Sequence, residues 1–325
     1  MRKGRAIEIT AQQFARAEQD VRAVLPPTPL ELSRHLSRAY GRPVYLKLEV
    51  FQPIRTFKIR GAIARFSGLA RSGHHGPVVT ASAGNHGLAV AWCGDRWGYP
   101  VHVFAPVGAN PAKLDAIRLW GGEIHQGGAG YDQAAVAAQE FAKERGWPFI
   151  HGFDDPEIIA GQGTIGLELA TQAEVGTVIA GVGGGGLLGG IAASYAEQHV
   201  RPRMIGVEPA GAASMQAALK AGHPVALAEV NTIADGLAPG RVSARTLRLF
   251  QTCVDQLVVI PDDALWPALT HLMEVEHLVV EPSGAAPLAA LMAQPDLGSG
   301  AVALIVSGGN IAPTVLAHLL SGGTR

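Results

Sequence analysis

Residues Val178–Gly190 read Val-Ile-Ala-Gly-Val-Gly-Gly-Gly-Gly-Leu-Leu-Gly-Gly. The apolar run Val178-Ile179-Ala180 predicts a buried strand. Gly183, Gly184, Gly185 and Gly186 predict a tight turn without side chains, and the apolar segment through Ile191–Tyr195 predicts a helix. A strand, a glycine turn and a helix N-terminus leave unpaired backbone N–H groups pointing outward at the positive end of the helix dipole. Such a turn cradles an anion, a phosphate above all, because no Cβ keeps the backbone away from it. A plain strand–helix turn without a ligand has the same local pattern. Two more specific readings are excluded. No Gly-Lys-Ser/Thr follows, as a nucleoside-triphosphate loop requires, and Arg201, Pro202 and Arg203 stand where a dinucleotide site needs an acidic residue.

Outward from this stretch, strands and helices alternate. Strands are predicted at Val44–Glu49, Val78–Thr80, Val101–Ala105, Glu123–Gln126, Phe149–His151, Met204–Val207, Gln256–Ile260 and Ala301–Val306, with helices between most of them. The repeated order predicts parallel sheets flanked by helices, an α/β fold. In such sheets ligands gather at the carboxyl ends of strands. The polar and glycine-bearing turns all lie there: Gln52–Lys58, Ser82–His86, Gly183–Gly186, Glu208 and Ser307–Asn310.

Two of these turns carry chemistry. Lys58 stands where a helix would begin, between apolar Phe57 and Ile59, with Thr56 available as a cap. A cation is disfavoured there by the helix dipole. A surface lysine fits this local pattern, and so does a lysine held neutral, or tied up as an imine, in a partly dry site. The turn Ser82-Ala83-Gly84-Asn85-His86-Gly87 offers backbone N–H groups and two polar side chains, enough to hold a carboxylate, although an ordinary capped turn has the same pattern.

Composition bounds the function. The chain has 325 residues, 48% of them hydrophobic and only 16% charged, and Lys+Arg nearly balances Asp+Glu at 26 to 27. No concentrated basic face suggests nucleic acid. No apolar run reaches the length of a membrane span. Cys93 and Cys253 both lie in largely apolar segments and are expected to be reduced, which fits a cytoplasmic protein. No apolar stretch follows Met1-Arg2-Lys3, so no signal peptide is expected.

Taken together, Gln52-Pro53 through Thr56-Phe57-Lys58-Ile59-Arg60-Gly61-Ala62, then Ser82-Ala83-Gly84-Asn85-His86-Gly87, Gly183–Gly186 and Ser307-Gly308-Gly309-Asn310 resemble the pyridoxal-phosphate enzymes of fold type II. The branch is that of the serine/threonine dehydratases and serine racemase. The resemblance implies two open parallel-sheet α/β domains of the tryptophan synthase beta type with pyridoxal 5′-phosphate between them. The large domain would comprise residues 1–52 and 151–325, and the small domain 53–150. Lys58 would bind the cofactor covalently and act as base. Phe57 would line its ring, Asn85 would hydrogen-bond its 3′ oxygen, Gly183–Gly186 would hold its phosphate, and Ser307 would sit beside the pyridine nitrogen. Ser82, Gly84, Asn85 and His86 would receive the substrate carboxylate. The implied reaction converts a β-hydroxy amino acid, L-threonine or L-serine first, into a 2-oxo acid and ammonia. Racemisation, and dehydration of 3-hydroxyaspartate or phenylserine, are the alternatives. A cytoplasmic homodimer is implied as well.

Three positions depart from the family pattern. Racemases of the branch carry a serine where this chain has Ala83, and alanine cannot transfer a proton, which favours a dehydratase. Metal-dependent relatives use a carboxylate where this chain has Ser214, following Glu208 and Ala212, so no metal is expected. Ile54-Arg55-Thr56 replaces the usual threonine-glycine-serine. Arg55 would point to solvent, or, if it faced the cleft, would select an acidic substrate. The chain ends shortly after its last predicted helix, so no effector domain is expected.

Overall fold

The computed structural model describes residues 8–196 and 201–321. The Met1-Arg2-Lys3 start lies outside the described residues. In chain order the first elements are α1 (Ala11–Arg22), β1 (Leu30–Leu32), α2 (Arg34–Tyr40), β2 (Val44–Leu48) and α3 (Lys58–Arg71). Then come β3 (Val78–Ala81), α4 (Asn85–Trp97), β4 (Val101–Ala105), α5 (Pro111–Leu119), β5 (Gly122–Gln126), α6 (Tyr131–Arg145) and α7 (Pro156–Gln172). The chain continues through β6 (Thr177–Gly181), α8 (Gly186–Ser194), β7 (Arg203–Pro209), α9 (Ser214–Ala221), α10 (Ala244–Cys253) and β8 (Gln256–Ile260). It closes with α11 (Leu265–Glu274), α12 (Pro282–Ala293), β9 (Val302–Val306) and α13 (Pro313–Leu320).

The strands form two sheets. The larger has the order β1-β2-β9-β6-β7-β8 and the smaller the order β3-β4-β5. Every pair is parallel except β1–β2. β9 is wholly apolar and buried, and it has a strand on each side, as a sequence without a polar face requires. Apolar clusters fill both faces of the larger sheet, one through α11 and α12, the other through α7, α8 and α10. A third joins α3 and α4 to the smaller sheet.

Local signals start most helices where the sequence places them. Thr10 and Gln13 form a reciprocal cap on α1. Ser33 caps α2, Asp155 caps α7 and Ser243 caps α10. Several expectations need correction. The apolar residues of 9–24 predict a helix with Phe14, Ala15, Val21 and Val24 inward, but Ala17 takes the place of Ala15 beside Phe14 and Val21 on α1, because the stripe advances by three and four residues. A helix is expected over Leu32–Ala39, but Leu32 belongs to the short edge strand β1, and α2 begins after it. Phe149–His151 makes a single bridge to Val79 in place of a strand. α7 begins at Pro156, one turn and more before the predicted start at Gln162, because Asp155 accepts from the Glu157 and Ile158 N–H groups.

Candidate active site

The carboxyl ends of β3, β6 and β9, with the loop into α3, converge on one cavity of about 400 Å³. Phe57, Lys58, Ser82, Gly84, Asn85, His86, Gly183, Gly184, Gly185, Gly186 and Ser307 all line it. Segments separated by more than 200 residues meet here because both sheets present the same end to the cleft.

Lys58 is the first residue of α3. The Phe57 N–H donates to the Ser307 carbonyl at 3.0 Å, which ties this helix start to the end of β9. Thr56 Oγ1 accepts from the Lys58 N–H only at a long 3.4 Å. Lys58 Nζ donates to the Gly152 carbonyl at 2.8 Å and lies 5.3 Å from the centre of the Phe57 ring. Burial lowers its pKa to about 8, against the opposing pull of Glu281. An amine so placed is neutral in a large fraction of molecules at mildly alkaline pH and is a competent nucleophile and base.

The turn before α4 is held from several sides. Ser82 Oγ accepts from the Gly84 N–H at 3.2 Å. Asn85 Oδ1 accepts from Asn310 Nδ2 at 2.8 Å, and Asn85 Nδ2 donates to Glu281 Oε1 at 2.7 Å, so both ends of the amide are fixed. His86 is buried, which lowers its pKa to about 3, with Lys58 acting in the same direction. The ring is therefore neutral. Its Nε2 lies 3.1 Å from the Ile150 carbonyl and carries the proton for that bond, while Nδ1 is buried without a partner.

The glycine turn is shaped by backbone and by a neighbour. Gly185 has φ +88°, which side chains rarely tolerate, and caps α8. A Cβ on Gly184 would stand 2.2 Å from the Phe153 ring. The first N–H groups of α8 open on the cavity.

Ser307 directly follows β9, and the turn after it makes room for a residue that the sequence reading missed. A Cβ on Gly308 would come within 2.3 Å of Glu281 Oε1. Glu281 is 3% exposed, lines the cavity, and has its pKa raised by burial to about 7. Its sequence signal was the acid directly before Pro282 at a helix start. Lys113 on α5 and Asp235 also line the cavity and form an ion pair across its mouth. Glu208 stands apart. Its oxygens accept from the Met215 and Gln216 N–H groups at 2.7 and 2.9 Å, so it serves as a cap for α9. Arg55 does not line the cavity, and its guanidinium donates to the Val50 carbonyl at 3.3 Å.

The family model described as "Pyridoxal-phosphate dependent enzyme" matches residues 21–308. The chain belongs to the pyridoxal-phosphate dependent enzymes. Within this family it is 40% identical over 298 residues to an L-threonine ammonia-lyase of Geobacter sulfurreducens, covering 91% of this chain and 74% of the relative. It is 38% identical to the biosynthetic L-threonine dehydratase of Salmonella typhimurium over 87% of its own length, but spans only 56% of that protein. Among solved structures, the processed threonine deaminase isoform 2 of Solanum lycopersicum superposes with a TM-score of 0.88 at 33% identity, covering 98% of this chain and 95% of that one. Maize serine racemase superposes with a TM-score of 0.90 at 30% identity, covering 97% and 98%.

The residues of the cavity fit the family's cofactor. A buried amine with a lowered pKa, a glycine turn at a helix N-terminus, and a wall carrying the Ser307 hydroxyl and the Asn85 amide are what an aldehyde, a phosphate and a substituted pyridine ring need.

Proposed function

We propose that this protein is an L-threonine ammonia-lyase, accepting L-serine as a second substrate. The observation that carries the reading is Lys58, whose amine is buried in the cavity with its pKa lowered to about 8. The threonine ammonia-lyase and threonine deaminase relatives support the choice of substrate.

Pyridoxal phosphate, when bound, holds the substrate nitrogen and withdraws electrons from its Cα. In this reading Lys58 Nζ anchors the cofactor and then takes the α-proton. Gly183–Gly186 would hold the phosphate through backbone N–H groups, Phe57 and Ser307 would line the ring, and Asn85 would donate its remaining amide hydrogen to the 3′ oxygen. Ser82 and the N–H groups of Gly84, Asn85 and His86 bind the substrate carboxylate. The His86 imidazole, neutral and engaged with Ile150, serves by packing, so its contribution comes through the main chain. Loss of the α-proton and of the β-hydroxyl removes one water from the amino acid. The enamine released hydrolyses to a 2-oxo acid and ammonia.

The same reading divides the chain into a large unit, 1–52 with 151–325, and a small unit, 53–150, with the cofactor between them. It takes the enzyme as a cytoplasmic homodimer, which size-exclusion chromatography would check. Cys93 and Cys253 are free and buried, as a reducing compartment allows. No helix among the described residues is long and apolar enough to cross a membrane.

A second reading, serine racemase, is favoured by the likeness to the maize enzyme. It is disfavoured by Ala83, which lines the cavity and has no proton to transfer. Incubation with L-threonine, L-serine, 3-hydroxyaspartate and phenylserine decides between the readings. Release of 2-oxo acid from threonine and serine, with the residual substrate still L, supports the lyase, whereas D-serine in the residue would favour the racemase. Lys58→Ala is the control.

A further inference from the structure

A second cluster of polar side chains lies outside the cavity, on the smaller sheet. β4 and β5 run parallel with His102 opposite Glu123 and Phe104 opposite His125. Side chains two apart on a strand share a face. His102 on β4 and Glu123 and His125 on β5 therefore project to the same side. There His102 Nδ1 and His125 Nε2 are 3.0 Å apart. Glu123 Oε2 lies 3.4 Å from His102 Nδ1, and Glu123 Oε1 lies 3.3 Å from His125 Nε2.

We infer that His102, Glu123 and His125 form a binding site for a divalent first-row transition ion of the zinc class. The two ring nitrogens are 3.0 Å apart and each lies 3.3–3.4 Å from a different oxygen of the one carboxylate, close to the edge of about 3.3 Å of a tetrahedron around an ion with bonds of about 2.0–2.1 Å, so a small turn of the carboxylate brings one oxygen to both. Two imidazole nitrogens and one carboxylate are the ligand set that such ions prefer, and magnesium or calcium, which take oxygen, do not fit it. The rings are held from behind. His102 stacks on Trp147 with centroids 5.0 Å apart, and His125 stacks on Phe104 at 4.7 Å. Arg145, whose charge acts on His102, lies over the Phe141 ring and pairs with Glu144. Glu123 has 64% of its side chain exposed, so the ion can enter from solvent and keep a fourth position for water. β5 is the edge of its sheet, and an ion bound across β4 and β5 would clamp that edge.

None of the three residues lines the cavity, so occupancy and catalysis can be read separately. Tag-free holoenzyme, stripped with chelator and then dialysed, is titrated with zinc chloride alone and analysed for bound metal. Retention of about one zinc per chain, with a higher melting temperature, is expected for the wild type. Glu123→Gln, at an exposed position that should fold normally, should weaken binding at least about tenfold with lyase activity unchanged. His125→Gln should do the same. Cobalt(II) should give the visible absorption of a four-coordinate site in the wild type and lose it in Glu123→Gln. No stoichiometric zinc, or equal zinc in wild type and both variants, overturns the inference and leaves a plain hydrogen bond between two histidines.

Discussion

Lys58 Nζ and the Gly152 carbonyl oxygen are 2.8 Å apart, and this bond aims the amine into the cleft. Burial pulls the ammonium form down to a pKa of about 8. Only the neutral amine captures an aldehyde, so covalent uptake of pyridoxal phosphate by the apoenzyme should speed up as pH rises. Its rate should fall about tenfold per pH unit below about 8 and level off above it. Visible absorbance after rapid mixing gives the profile, and borohydride should fix the cofactor to a peptide containing residue 58. Lys58→Ala should capture nothing and release no 2-oxo acid.

Two residues beyond Lys58, Arg60 is fully buried among charges. Its Nε and Nη2 donate to Glu49 at 2.8 Å each, and its Nη1 and Nη2 donate to Glu168 at 2.6 and 3.0 Å. Lys47 also bonds Glu168. The network joins β2, α3 and α7 behind Lys58. Arg60→Met leaves the buried Glu49 carboxylate without its ion-pair partner and takes one of the cations from Glu168, and should cost about 3–5 kcal/mol. Denaturant melts would measure the loss, and a change under about 1 kcal/mol would contradict it.

Acid should attack the same network. Burial raises the Glu168 carboxyl, but the charges and hydrogen bonds of Arg60 and Lys47 overcome this and hold its pKa below the ordinary 4.5. A carboxyl lowered in the folded state contributes its full stability above its unfolded pKa and loses it as pH falls through the folded one. The contribution should thus be intact above about 4.5 and drain below it. A Lys47→Met variant, lacking one of the three cations that pair with Glu168, should begin to unfold at a higher pH than the wild type in an acid titration followed by circular dichroism.

The strand–turn–helix units around Lys58, Asn85 and Gly183 were legible because their signals are local: an apolar run, then glycine and polar residues, then a helix. The buried charges were not. Lys47, Glu49, Arg60 and Glu168 read singly as solvent-facing, and only pairing across as many as 121 residues makes them interior. Glu281 was hidden for the same reason, since its partner Asn85 lies 196 residues away. β1 escaped notice because a three-residue edge strand has too few positions to show a period.

Arg55 adopts φ +58°, a left-handed conformation that suits glycine better than a residue with a side chain. The loop around it is tied down. The Arg55 N–H donates to the Gln52 carbonyl at 2.8 Å, and the Arg55 carbonyl accepts from the Gly309 N–H at 2.8 Å. That second bond links the lysine loop to the turn after Ser307. Left-handed backbone costs a side-chain-bearing residue about 1–2 kcal/mol, partly offset by glycine's greater freedom when unfolded. Arg55→Gly should therefore raise stability by up to about 1 kcal/mol, and β-branched Arg55→Val should lower it by about 1 kcal/mol or more. Equal melting of the two variants would show that the strain is absent.

Glu281 faces both Asn85 and Lys58. Burial, with Asp235 acting in the same direction, raises its pKa to about 7, while Lys113, the Asn85 hydrogen bond and Lys58 oppose the rise. Above that pH the carboxylate stabilises the Lys58 ammonium, and this is the opposing pull on a pKa that burial brings to about 8. Glu281→Gln keeps an oxygen for Asn85 Nδ2 and removes the charge. The midpoint of cofactor capture should then move down by roughly half a unit to one unit, because a neighbouring negative charge no longer favours the ammonium form. Glu281→Asp retains the charge on a shorter arm and should restore part of the shift. If the capture midpoint is the same in all three proteins, Glu281 acts on Asn85 alone. Its effect on turnover must then come from the orientation of that amide, which Asn310→Ala would disturb from the other side by removing the 2.8 Å bond to Asn85 Oδ1.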